Sequence, residues 1–302
     1  MLFTRRHILR SGLAATALAA LPPRAFAASS LTLGTATIDT LSDGHLVLPT
    51  GFISSHEGTA GVLAKFGLTG PQLEPPCNLT LYRDGTHTVL FDVGAGPDFM
   101  PTAGKLAPAL EALGVAPADI THVVFTHAHP DHLWGVLDEF DEPVFANATH
   151  MIGLRERDYW LDPETQNTID DGRKTFAAGA LRRLQVLEER LVTFDEEKEI
   201  LPGILAVNSY GHTPGHMSFE IRQGNSACMV VGDAIGNHHL AFAHPLWESG
   251  SDQNTEAGAK KRLALLGRLA QEQMPMVGYH LPEGGMGRVE RAGDAYRFVP
   301  EI

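Results

Sequence analysis

Short apolar or alternating runs recur along the chain at strand-like spacing, with amphipathic stretches between them. "LTLGTATIDTLSDGHLVLP" predicts a strand, a turn at Ser42-Asp43-Gly44 and a second strand. "NLTLYRDGTHTVLFDVGAG" predicts a hairpin that turns at Asp84-Gly85. A short helix is predicted from Lys105 to Leu113, stopped by Gly114, and "THVVFTH" then reads as a brief apolar strand. From Met151 to Ile200 the chain is more polar and helical. Within that region "TFAAGALRRLQVLEERL" carries an apolar stripe at Phe176, Ala180, Leu184 and Leu187. Strands return at "GILAVNSYG", "MSFEIRQG" and "SACMVVGD". An amphipathic helix follows over roughly Thr255 to Gln271, and "MPMVGYH" reads as the last strand. Strand-rich halves with intervening helices predict an α/β protein in which two sheets form a sandwich covered by helices. No internal repeat or low-complexity linker divides residues 28–302, which therefore read as one domain.

The first 27 residues follow a different pattern. "TRRHILR" supplies the pair Arg5-Arg6, "SGLAATALAALP" is a short apolar run, and "AFA" offers the small residues a signal peptidase reads. The run is too short for a permanent span, so residues 1–27 are expected to be a removed export signal of twin-arginine type, with an uncleaved anchor as the alternative. A periplasmic or secreted location follows from that reading, with no stable membrane insertion once the signal is gone.

Composition adds constraints. The chain is 43% hydrophobic and 20% charged, ordinary values for a folded protein. Removing residues 1–27 takes away Arg5, Arg6, Arg10 and Arg24, leaving 19 basic against 36 acidic side chains, a net charge of −17. Such a surface disfavours nucleic acid, anionic membranes and polyanionic substrates, and leaves a small molecule as the expected partner. The apolar helices allow a homodimer without requiring one. Cys77 and Cys228 are the only cysteines and neither lies in a CxxC zinc pattern. Cys228, in "ACMVVGD", reads as a buried thiol, and a Cys77–Cys228 disulfide stays open in an oxidising compartment.

The densest chemistry lies in "FTHAHPDHLWG". His127, His129, Asp131 and His132 follow an apolar strand directly, where a loop can fan their side chains into one cavity. Period-2 spacing would keep His127, His129 and Asp131 on one side only while the chain stays extended, and Pro130 enforces a turn there. Imidazole and carboxylate are the ligands that borderline divalent ions such as Zn²⁺ prefer. Three further strand ends deliver similar groups. "GHTPGH" carries His212 and His216, "VVGDAIG" carries Asp233, and "VGYHLPEGG" carries His280. His238, His239 and His244 follow Asp233 in a loop and read as surface or pocket-rim residues. No G-x-S-x-G motif is present.

His-x-His-x-Asp-His, then Gly-His-Thr-Pro-Gly-His, then Gly-Asp and a late strand-end His together resemble the metallo-β-lactamase-fold hydrolases. The resemblance implies an αββα sandwich with a two-metal site, most readily two Zn²⁺. It implies that His127, His129 and His212 hold the first ion, that Asp131, His132 and His280 hold the second, and that Asp233 bridges. His216 would orient the turn. Two ions about 3.5–4 Å apart share a hydroxide that serves as nucleophile. Asp131 would orient it or pass its proton to the leaving group, so Asp131 and Asp233 are the expected catalytic residues.

"LSDGHLVLP", "DYWLDPE" and "AYRFVP" further resemble methyl parathion hydrolase and its relatives, exported dizinc hydrolases of phosphotriesters related to lactonases and aryl esterases. That resemblance implies an aromatic leaving-group pocket at Phe99, Trp160 and Phe176. The expected activity is hydrolysis of neutral esters or lactones, with phosphotriesters as further substrates. The alternatives on the same fold are a β-lactamase, an acyl-homoserine lactonase and a sulfur dioxygenase needing one iron. Acyl-homoserine lactonases place a tyrosine where this chain has Gly236.

Overall fold

The strand register and the burial of alternate side chains sort the chain into four layers. The computed structural model describes residues 27–301. The export signal lies outside the described residues except for Ala27, the first residue of the first strand.

In chain order the first strands are β1 (Ala27–Leu33), β2 (Ala36–His45) and β3 (Leu48–Pro49), followed by helices α1 (Thr50–Ile53) and α2 (Thr59–Lys65). Then come β4 (Gln72–Leu73), β5 (Pro76–Arg83), β6 (Thr88–Phe91), α3 (Leu106–Ala112), β7 (His122–Phe125), α4 (Pro130–Leu133) and β8 (Thr149–Gly153). Helices α5 (Leu154–Leu161), α6 (Thr165–Thr168) and α7 (Lys174–Leu187) lead into β9 (Leu191–Phe194), β10 (Glu199–Leu201), β11 (Ile204–Asn208), β12 (Met217–Gln223) and β13 (Ser226–Gly232). The chain ends with α8 (Leu240–Ala243), α9 (Thr255–Glu272), β14 (Met276–Gly278), β15 (Met286–Ala292) and β16 (Ala295–Pro300).

Two seven-stranded sheets form, in the orders β1-β2-β5-β6-β7-β8-β9 and β10-β11-β12-β13-β14-β15-β16. Each mixes antiparallel meanders with parallel pairs, β6·β7, β7·β8 and β8·β9 in the first and β13·β14 in the second. The side-chain period of two assigns alternate residues to different cores. Val124 of β7 faces Phe219 and Ile221 between the sheets, while Val123 and Phe125 pack outward with Ala180, Leu184 and Leu187 of α7. Val230 of β13 likewise faces the inter-sheet core, while Met229 and Val231 pack against Leu265, Leu266 and Leu269 of α9. Central strands buried on both faces explain why "VVF" and "CMVV" read as continuous apolar runs rather than alternating ones. The arrangement is the expected αββα sandwich.

Most predicted elements stand where the pattern put them, including the Asp84-Gly85 hairpin, α3, α7 and α9. α9 is capped by Asn254, whose side chain accepts from the Ala257 N–H. Two expectations are corrected. The first hairpin turns at Gly34-Thr35, with Gly34 at φ 63°, whereas Ser42-Asp43-Gly44 lies inside the end of β2, where the register against β5 shifts. The cause is tertiary: the Asp43 carboxylate accepts N–H bonds from Ala95, Gly104 and Leu106, which hold it in the core instead of in a turn. "MPMVGYH" is not the last strand either, because β15 and β16 form a further hairpin that closes the second sheet's edge. Cys77 and Cys228 are both free and buried, in different core clusters, so the open disulfide is absent. No helix among the described residues is long and apolar enough to cross a membrane.

Residues 48–73, which the hydrophobic pattern left unread beyond Leu48-Pro49, fold into β3, α1, α2 and β4. Ile53, Val62, Leu63 and Leu73 pack with Leu240 into a small separate core beside the strand ends that carry the ligand residues.

Candidate metal centre

The strand ends converge. His127 to His132 follow β7, His212 follows β11, Asp233 follows β13 and His280 follows β14. All seven side chains assigned as ligands are buried, none more than 7% exposed. The turn at Pro130 is the first turn of α4, which swings Asp131 and His132 back toward His127. His127, His129 and His212 place ring nitrogens within 4.8 Å of one another, and so do His127, His132 and Asp233 with their ligand atoms. His280 Nε2 lies 3.3 Å from both Asp131 Oδ2 and Asp233 Oδ2. Asp233 also approaches His132 Nε2 at 3.4 Å and His212 Nε2 at 3.3 Å, so it touches members of both halves of the cluster.

The tautomers can be read from the outer hydrogen bonds, because each fixes one ring nitrogen and frees the other. His132 Nδ1–H donates to Asp92 Oδ2 at 2.7 Å and His280 Nδ1–H to the Pro76 carbonyl at 2.8 Å, which turns both Nε2 atoms toward the centre. Asp252 Oδ1, 3.3 Å from His212 Nδ1, does the same for His212, and Arg262 of α9 holds Asp252 in turn. Thr126 spends its hydroxyl proton on Asp92 Oδ2 at 2.8 Å and therefore accepts from His127 Nδ1–H at 2.9 Å. His129 is reversed and turns Nδ1 toward His212 Nε2 at 2.8 Å, so the two nitrogens need either one shared proton or a cation between them. His216 differs. Its Nε2 accepts from the Asp233 N–H at 3.0 Å and its Nδ1 faces Ser209 Oγ at 2.7 Å, so both nitrogens are engaged and the ring positions Asp233.

Gly232 is required at this point. Its φ is 54°, and a Cβ would fall 2.7 Å from His216 Nε2, which would push the ring away from Asp233.

The donor set fits divalent ions. Among the buried side-chain atoms with no hydrogen-bond partner are His127 Nε2, His132 Nε2, Asp131 Oδ2 and Asp233 Oδ1, all aimed into the same space. Burial, reinforced by neighbouring histidines, drives His127 and His129 well below the ordinary imidazole range, so they stand as neutral ligands. Burial opposes charge at His132 and His280 too, but the carboxylates of Asp131 and Asp233 outweigh it and hold both rings well above that range. Two buried carboxylates thus demand cationic charge from whatever occupies their centre.

The centre opens into a cavity of about 340 Å³ whose walls are mainly apolar. His129, Asp131, His212 and His280 form its polar end, and Leu48, Phe52, Leu68, Phe99 and Phe176 line its sides. Phe99 and Phe176 meet edge to face, 5.9 Å apart. Trp160 does not line the cavity. It is buried behind His129, 5.8 Å away ring to ring, with its Nε1–H donated to Glu156, so its assignment to the pocket is corrected. His238 and His239 do line the cavity, their rings tilted against each other with centroids 3.7 Å apart, and burial pushes them down to about 4 and about 3. His244 lies outside that lining and stacks on Trp247.

Several residues of the centre escaped the motif reading. Asp92, at φ 62°, orients His132 and accepts from both the Thr126 N–H and its hydroxyl. It sits at the end of β6 in "FDVGAG", a strand-end carboxylate like the others, and that position was the available signal. Asp252 and Glu156 lie in polar segments with no such mark. Cys77 has its thiol within 4.8 Å of ligand atoms of Asp131 and His280, and burial pushes it up to about 11.

Comparison with known proteins agrees with this geometry. The family model described as the metallo-beta-lactamase superfamily matches residues 74–276, well over half of the chain. The uncharacterized protein YobT of Bacillus subtilis is 29% identical over 161 residues, covering 53% of this chain and 62% of YobT. The N-acyl homoserine lactonase AttM of Azorhizobium caulinodans is 34% identical over 124 residues, covering 40% of this chain and 43% of AttM. The matched stretch thus spans less than two-thirds of either relative. Among solved structures, AidC, a dizinc quorum-quenching lactonase in complex with a homoserine product, superposes with a TM-score of 0.83 at 24% identity, covering 91% of this chain and 97% of AidC. The hydrolase AbOPH superposes equally well, at 0.83 and 24% identity over 90% of this chain and 97% of its own. At that identity these structures speak for the fold.

Proposed function

The chain belongs to the metallo-β-lactamase superfamily of hydrolases, and on that premise we propose that it is a dinuclear metal-dependent hydrolase of neutral esters and lactones, with phosphotriesters as side substrates. The observation that carries this reading is the convergence of seven buried ligand side chains, four with orphaned atoms, at one end of a mainly apolar cavity. His127, His129 and His212 would hold one ion and Asp131, His132 and His280 the other. Asp233, in reach of His212, His132 and His280, would serve both.

Two divalent ions, Zn²⁺ by donor type, would supply a hydroxide nucleophile at neutral pH and polarise the attacked carbonyl. The protein's own contributions follow from its geometry. Of the two carboxylates assigned to the centre, Asp131 is the one that also lines the cavity, which suits it to hold the proton and release it to the leaving oxygen. Phe99, Phe176 and Leu48 would exclude water and take an acyl or aryl group. Arg173 also lines the cavity, but its guanidinium is engaged by Asp170 and the Gly250 carbonyl, which favours neutral substrates over anionic ones. The lactonase names of AttM and AidC support lactones as the first class to try. We further propose export through the Arg5-Arg6 signal, which fractionation of cells carrying the R5K/R6K double variant would test.

The test of the hydrolase reading is a panel of dihydrocoumarin, an aryl acetate, an acyl-homoserine lactone and a methyl phosphotriester. At least one ester or lactone should be cleaved, with activity lost on chelation and restored by Zn²⁺. If the protein carrying two metal ions left all four intact, the reading would fail. An iron-dependent uptake of oxygen with a persulfide would favour the dioxygenase alternative instead.

A further inference from the structure

We infer that Glu156 is a positioning residue that locks together the two loops carrying the His127–His129–His212 half of the centre. This rests on the dinuclear reading above but concerns a residue outside both ligand sets. Glu156 lies on α5 and is fully buried. Its Oε1 accepts the Ala128 N–H at 3.0 Å and the Trp160 Nε1–H at 2.6 Å. Its Oε2 accepts the Thr213 hydroxyl at 2.7 Å and the Gly215 N–H at 2.9 Å.

The chain positions of these donors give the inference its content. Ala128 sits between His127 and His129, and Thr213 is the next residue after His212. One carboxylate therefore spans the two segments that must meet for three imidazoles to share an ion. A carboxylate offers about four lone-pair sites, and all are filled here by neutral donors from two loops and one indole. Gly215 permits this approach: a Cβ there would fall 2.2 Å from the Glu156 backbone nitrogen. Glu156 does not line the cavity, so it acts through the loops and not on a substrate. No donor to Glu156 comes from Asp131, His132 or His280, so the effect should fall on one half of the centre.

Glu156→Gln tests this, since it keeps shape but puts an amide NH₂ where one pair of donors needs an acceptor. Metal-free wild-type and variant proteins are titrated with Zn²⁺ against a chromophoric chelator. His212→Ala and His280→Ala assign the two binding steps, because each removes a ligand from one half. The expected result is about a 10- to 100-fold weakening of the step lost in His212→Ala, with less than about a threefold change in the step lost in His280→Ala. The melting temperature of the metal-free protein serves as the structural control and should change little. If both steps were unchanged, or weakened equally in proportion to a lower melting temperature, the inference would be overturned. Should Glu156→Gln fail to fold, Thr213→Val removes a single donor from one loop. The same selective weakening, at a few-fold, is then expected, and an unchanged first step would overturn the inference. Two steps in the wild type support the dinuclear reading independently of either variant.

Discussion

Replacing Asp92 separates two things that a buried carboxylate does here. Asp92 Oδ1 accepts the Thr126 N–H at 2.7 Å, and Oδ2 accepts the Thr126 hydroxyl at 2.8 Å and His132 Nδ1–H at 2.7 Å. In Asp92→Asn the oxygen can keep the Thr126 N–H, which places the amide NH₂ against His132 Nδ1. Two donors cannot face each other at that distance, so the imidazole must move its proton to Nε2, the nitrogen that points into the centre. The variant should therefore bind the ion held by His132 about 10- to 100-fold more weakly, about 1.4–2.8 kcal/mol. Asp92→Ala leaves space for a water that can accept from Nδ1, so the ligand tautomer survives and affinity should fall less than in the Asn variant. Its stability should fall more. Three donors lose an acceptor at about 1–3 kcal/mol each before water compensates, and alanine is strained at φ 62°. Zn²⁺ competition titration reads the first quantity and urea unfolding of the metal-free protein the second. A larger loss of affinity in Asp92→Ala than in Asp92→Asn would refute the tautomer argument.

Other expectations follow from single contacts. Burial raises the Asp43 carboxyl to about 6 against three stabilising N–H bonds, so its folded value lies above the unfolded one. Its contribution to stability is then full below about pH 4 and lost as pH rises through 6. The stability difference between wild type and Asp43→Asn should accordingly fall by about 2 kcal/mol between pH 4 and 7 in denaturant titrations, and a flat difference would contradict the assignment. Gly232→Ala should displace His216 and lower turnover strongly, because the added Cβ meets that ring at 2.7 Å; wild-type activity would remove the argument. Phe176→Ala should raise KM for apolar esters several-fold with little change in kcat, as expected for uniform binding. Trp160→Phe, lying outside the cavity, should leave that KM unchanged, and a matching rise would place the indole back in the pocket.

The convergence of the proposed ligand residues was legible because strand-end imidazoles and carboxylates at such density have few other uses, and because the apolar runs before them located the strand ends. The partners that orient those ligands were not. Asp252 and Glu156 sit in polar stretches where a carboxylate is unremarkable, and only folding brings them against His212 and Ala128. Asp43 shows the reverse failure. Ser-Asp-Gly is a strong turn signal, but three distant N–H groups capture the carboxylate and keep the segment in the sheet. Trp160 was placed in the pocket by the resemblance to methyl parathion hydrolase relatives, whereas its indole N–H needed a buried acceptor and found Glu156. The terminal hairpin was missed because "GRVERAGDAYRFVP" mixes charge with its apolar positions, as suits a sheet's edge.

The central claim is that hydrolysis requires both halves of the centre to be filled. Metal-free protein titrated with Zn²⁺ while lactone hydrolysis is followed tests it most directly. The account predicts little activity until the second equivalent binds and a plateau at two ions per chain. A plateau at one equivalent, or no hydrolysis at any loading, would contradict it.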